Sequence, residues 1–170
     1  MKNNFLKILL ILSLVGSCLS SYALQLSSPA FKDNSPMPAV YACDDKNISP
    51  PLQWDNPPAG TKTYALVVND PDAPTGNWYH WIVFNIPATT RAFIENIQTY
   101  PTNTVVSRND WEREKYNGPC PPVNTHRYVF TLYALKAFLP LNQNAATATI
   151  LKAIQDNTIA SATLTGTYTR

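Results

Sequence analysis

Tyr128-Val129-Phe130-Thr131-Leu132-Tyr133-Ala134-Leu135 is the longest β-prone run of the chain and is apolar at nearly every position. A strand with one wet face alternates polar and apolar side chains, whereas one that is apolar throughout must be covered on both faces. This run is therefore expected in the middle of a sheet, with other layers above and below it. Two shorter runs have the same character. Thr63 to Asn69 is stopped by Asp70-Pro71, and Trp81 to Ile86 is stopped by Pro87. Ala160 to Thr169 alternates small, apolar and threonine positions and supplies a last strand. Leu24 to Ser28 and Thr104 to Ser107 are weaker and are expected at edges.

The punctuation between these runs is proline. Pro50-Pro51, Pro57-Pro58 and Pro121-Pro122 cannot donate to a ladder and belong in loops. Helical spacing is confined to Ala145 to Asn157, where Ile150, Leu151 and Ile154 share a face. Strands with stiff turns and one late helix predict a mostly β fold, an antiparallel sandwich with a few short peripheral helices.

Residues 1–23 read as a signal peptide: Lys2 and Lys7, an apolar stretch from Ile8 to Val15, then Ser21-Tyr22-Ala23 before the cut. Val15-Gly16-Ser17-Cys18 also resembles a lipobox, which would acylate Cys18. Cleavage after Ala23 is preferred because strand-like sequence starts at Leu24 and leaves a lipid anchor little tether. The mature chain is then one domain over residues 24–170, exported to the periplasm or beyond, with no transmembrane span. Without Lys2 and Lys7 the formal charge of +2 disappears and no basic run remains. Such a surface has no electrostatic footprint for nucleic acid. A polybasic or amphipathic attachment to a membrane surface is missing for the same reason. About 147 residues suffice for a full core.

Cys43 and Cys120 survive processing. An even pair in an exported chain reads as a disulfide, which stabilises by up to about 4 kcal/mol in the chain-entropy model. Zinc would need more closely spaced ligands, so no metal and no cofactor are expected.

Chemistry concentrates in two places. Asp70-Pro71-Asp72-Ala73-Pro74 leads to His80-Trp81, and Gly118-Pro119-Cys120-Pro121-Pro122 leads to His126-Arg127-Tyr128. In each, a proline-stiffened loop precedes a histidine at the mouth of an apolar strand. Alone, Asp-Pro-Asp is an ordinary turn and a lone histidine is usually structural. The repeated layout, and Pro74 as a candidate cis bond, argue for a loop held in shape for a ligand. Two imidazoles and two carboxylates in a stiff pocket suit a small anion, with Asp70 orienting one ring and the Gly118 amide free to donate. Strand alternation turns Arg127 away from the face of His126.

These motifs, with Ser28-Pro29-Ala30-Phe31, Asn47 to Leu52, Trp54, Asn85-Ile86-Pro87 and Gly166-Thr167-Tyr168, resemble the phosphatidylethanolamine-binding protein family. Within it they are most similar to the bacterial Raf-kinase-inhibitor-like exported branch. The resemblance covers Leu24 to Arg170. It implies a pocket for phosphate, phosphorylated head groups or similar anions, lined by Asp70, Pro74, His80, Gly118, Pro121, His126 and Tyr128. It also implies a non-catalytic binder, with a protein partner such as a kinase or hydrolase, or a homodimer, left open. Cys120 in the pocket loop departs from the animal proteins, so a role in binding Raf does not carry over.

The alternatives are a hydrolase using His80 or His126 as general base, and an inhibitor of a protease or other hydrolase. Against the hydrolase, no serine sits in a nucleophile turn and Cys120 is expected to be spent on Cys43.

Overall fold

The computed structural model describes residues 23–170. The signal-peptide reading and the alternative of a lipid on Cys18 fall outside them. The strands are β1 (Gln25–Ser27), β2 (Ser35–Pro36), β3 (Leu52–Asp55), β4 (Thr63–Asp70), β5 (Trp78–Pro87), β6 (Ala92–Phe93), β7 (Val105–Ser107), β8 (Thr125–Leu135) and β9 (Thr158–Thr169). One α-helix, α1 (Thr147–Asn157), runs straight into β9, and a short 3-10 turn covers Ala39–Tyr41.

Six strands form the main sheet in the order β2-β9-β8-β4-β5-β7, and β1-β3-β6 form a smaller one. The apolar run of β8 lies between β9 and β4, as its composition requires. Pairing is antiparallel except where β2 runs parallel to β9. The fold is thus the expected mostly β sandwich.

Alternation along the central strands builds two cores. Tyr64, Leu66 and Val68 of β4 face the small sheet with Trp81, Val83, Phe130, Leu132, Trp54 and Phe93. Ala65 and Val67 face the other way, with Ile82, Phe84, Ile150 and Ile154 beneath α1. Parity changes in β5 at Asn85, which has a φ of 57° and sits where the β4–β5 register shifts. The extra residue lets Phe84 serve the helix side and Ile86 the sheet side. The Asn85 side chain is tied down by the Leu139 carbonyl at 2.9 Å and the Leu139 amide at 2.8 Å.

Two expectations need correction. β5 and β8 begin earlier than their apolar runs, so His80 and His126 lie inside strands and not at their mouths. Pairing of Asp70 with Trp78 and of Thr125 with Thr169 carries the ladders through polar residues. Pro74 is not cis, since no cis peptide bond occurs among the described residues. Gly76 N donates to Ala73 O at 2.9 Å, closing a turn with Pro74 in second place, and that place takes a trans proline.

Candidate functional site

The β4–β5 turn, the segment 109–117 and the segment 117–122 converge at one end of the main sheet. They enclose a pocket of about 150 Å³ lined by Asp70, Ala73, Pro74, Thr75, Trp78, His80, Trp111, Cys120 and Pro122. A wider groove of about 620 Å³ lies between α1 and the opposite face of the sheet, but no histidine or carboxylate lines it. Among the described residues no three metal-ligating side chains converge.

Asp70 ends β4 and both its oxygens are engaged. The Asp72 amide donates to Oδ1 at 2.8 Å, an Asx turn, and His126 Nδ1 donates to Oδ2 at 2.7 Å. Asp72 is held from the other side. The Arg127 backbone amide and Nε each reach Asp72 Oδ2 at 2.9 Å, and Nη2 reaches Oδ1 at 2.7 Å. This fork draws the Asp72 carboxyl down to a pKa of about 2. Strand alternation thus divides the labour of β8: His126 turns inward to the acid, and Arg127 clamps the turn from outside.

His80 is fixed on three sides. Its Nδ1 lies 2.8 Å from the Asn117 carbonyl, which can only accept, so Nδ1 carries the hydrogen. Trp111 stands edge-on to the ring at 4.7 Å and Tyr128 at 5.1 Å. Burial pushes the His80 pKa down to about 4, although the Asn117 carbonyl, the Asp70 charge and the Gly118 backbone all work against that. The ring is therefore neutral near pH 7. Nε2 makes no hydrogen bond among the described residues. Tyr128 is buried with its hydroxyl turned to Asp70 and the Cys120 backbone without a well-formed hydrogen bond to either, and its pKa is raised by burial and then by the Asp70 charge.

The remaining expected residues are placed differently. Pro74 lines the pocket, whereas Pro121 does not and its neighbours Cys120 and Pro122 do. The Gly118 amide is not free for an anion, because it donates to Asn47 Oδ1 at 2.6 Å. A Cβ at Gly118 would overlap the Tyr41 carbonyl oxygen, so this glycine permits the approach of two backbones. His126 stands behind Asp70 and outside the lining set. The loop is also tied by the Cys43–Cys120 disulfide, with a Cα–Cα distance of 5.4 Å, and by Cys43 N donating to Pro119 O at 2.9 Å.

Three residues that shape the site escaped the sequence reading: Asn109, Trp111 and Trp78. Buried Asn109 shares the two hydrogens of Nδ2 among His80 O, Lys115 O and Asn117 Oδ1, and accepts at Oδ1 from the amides of Trp111 and Arg113. Asp110 pins the same segment to β5, accepting from the Tyr79 amide at 2.7 Å. The result sets Trp111 over the pocket, edge-on to Trp78 at 5.4 Å. The available signal was Asn109-Asp110-Trp111, an aromatic after two turn-formers in a polar stretch.

A family model described as phosphatidylethanolamine-binding protein matches residues 27–169. A UPF0098 protein of Methanothermobacter thermautotrophicus is 41% identical over 150 residues, covering 86% of this chain and 99% of that protein. UPF0098 protein YbhB of Escherichia coli is 39% identical over 132 residues, covering 74% of this chain and 84% of its own length. Among solved structures, E. coli YbcL, described as a new member of the mammalian PEBP family, superposes with a TM-score of 0.83 at 33% identity. That match covers 88% of this chain and 99% of YbcL. A Chlamydia trachomatis protein described as a putative phosphatidylethanolamine-binding protein homolog gives 0.81 at 37% identity, covering 87% and 98%.

Proposed function

The chain belongs to the phosphatidylethanolamine-binding protein family, and from that premise we propose that it is a non-catalytic binder. It takes a small anionic or phosphorylated group into the pocket between Asp70, His80 and Trp111. The observation that carries this reading is the placing of the two imidazoles and the thiol a hydrolase would use. His126 has Asp70 behind its Nδ1 but stands outside the lining, and Cys120 is closed in a disulfide. His80 lines the small, aromatic-walled pocket with a ring nitrogen that has no protein partner, but a backbone carbonyl and not an acid stands behind its Nδ1. That leaves a site able to hold a ligand by hydrogen bonds, with Thr75 the one hydroxyl nucleophile in its lining. Export to an oxidising compartment such as the periplasm agrees with the Cys43–Cys120 bond. A protein partner that senses the filled pocket is part of the same reading.

Calorimetry with inorganic phosphate and phosphoethanolamine tests it. Binding is expected to the wild type and to be lost in His80→Ala. Steady turnover of a phosphate ester that disappears in His80→Ala or His126→Ala would favour the hydrolase instead.

A further inference from the structure

Resting on that reading, we propose that the pocket selects anions that still carry a proton. It takes inorganic phosphate or a phosphate monoester in its hydrogen-bearing form, the ligand hydroxyl donating to His80 Nε2, and discriminates against anions that have no such hydrogen.

The tautomer of His80 decides what the ring can offer a ligand. With Nδ1–H given to the Asn117 carbonyl at 2.8 Å, a neutral ring presents Nε2 as a lone pair and nothing else. Burial keeps the ring neutral down to about pH 4. The lining supplies no lysine or arginine to compensate. From the end of β4 comes Asp70, and from the turn beyond it Asp72, already forked by Arg127. From β8 come Tyr128, against the ring, and His126, directed at Asp70. The segment after β7 contributes Trp111 and, on its far side, Asp110 held by the Tyr79 amide. Cys120 is oxidised.

A fully ionised phosphate would set oxygen lone pairs against Nε2 and its second charge against Asp70, in surroundings that screen charge poorly. One proton on the ligand removes a charge and supplies the donor that Nε2 lacks. Sulfate and phosphodiesters have similar oxygens but no hydrogen to offer at neutral pH. The inference therefore places the free monoester ahead of the intact lipid head group, which is a diester.

Methyl phosphate and dimethyl phosphate separate proton from charge, because singly protonated methyl phosphate and dimethyl phosphate are both monoanions. Calorimetry on the purified protein is expected to show methyl phosphate binding best near pH 5.5. Its affinity should then fall roughly tenfold per pH unit above its second pKa, at about 6. Dimethyl phosphate is expected to bind at least about tenfold more weakly at the acidic end. Its own pH trend reports any pH dependence of the protein itself, which can be subtracted. The 15N shift of His80 Nε2 should move on adding methyl phosphate while Nδ1 keeps its bonded-hydrogen signature.

Equal affinity for the two esters, a flat pH profile for methyl phosphate or an unmoved Nε2 overturns the inference and leaves the anion site standing. Failure of both esters and of sulfate to bind at any pH overturns the site itself.

Discussion

Replacing buried Asn109 by alanine would remove several hydrogen bonds at once, because this one side chain serves the carbonyls of His80 and Lys115 and the amides of Trp111 and Arg113. Those of its partners that water cannot reach keep their desolvation cost. Asn109→Ala is expected to destabilise the fold by about 3 kcal/mol in urea titrations. A variant within experimental error of the wild type would show that water replaces the side chain without loss. The importance of Asn109 was only faintly legible, in the run Asn109-Asp110-Trp111, because the groups it serves are brought to it by the fold. His80 and Asp70 were legible because proline-bounded loops single them out. Which neighbour each would engage depends on strands distant in the chain, and sequence spacing does not encode that. The Gly118 amide shows the difference: it was expected to be free for an anion, but it donates to Asn47, and what comes close to this glycine is the Tyr41 backbone.

Among the elements, the turn between β4 and β5 depends on β8 for its shape through the fork of Arg127 on Asp72. Asp72 has its pKa lowered from an ordinary 3.8 to about 2 in the folded protein. A carboxyl with a depressed folded pKa adds stability above its unfolded value, and that stability is lost as pH falls through the folded one. The pair is partly exposed, with 30% of the Asp72 side chain accessible, so solvent screens much of the gain. Arg127→Ala is expected to be less stable than the wild type near neutral pH, with the gap closing from about pH 4 to about pH 2. A gap of constant size across that range would assign the loss to packing rather than charge. At this scale the long strands β4, β5, β8 and β9 were legible, because each carries a run of apolar or alternating residues. The second sheet was not, apart from β1. β3 has only four residues and β6 two, too short for a period-two pattern to stand out beside the neighbouring prolines.

For the whole molecule, two cores on opposite faces of one sheet make the open end of that sheet a rigid rim. On this rim three loops meet, tied by a disulfide, an Asx turn and the Asn109 network. Stiffness there reduces the ordering cost of holding a small ligand, which is where a pocket of about 150 Å³ gains affinity. The larger groove under α1 has no comparable frame and no charged lining. Chemical-shift mapping of the isotope-labelled protein during titration with inorganic phosphate near pH 5.5 tests this division most directly. The account predicts saturable changes at Thr75, His80 and the indoles of Trp78 and Trp111, with Leu151 and Ile154 unmoved. Changes centred on Leu151, Ile154 and Tyr133, or none at any concentration, would contradict it.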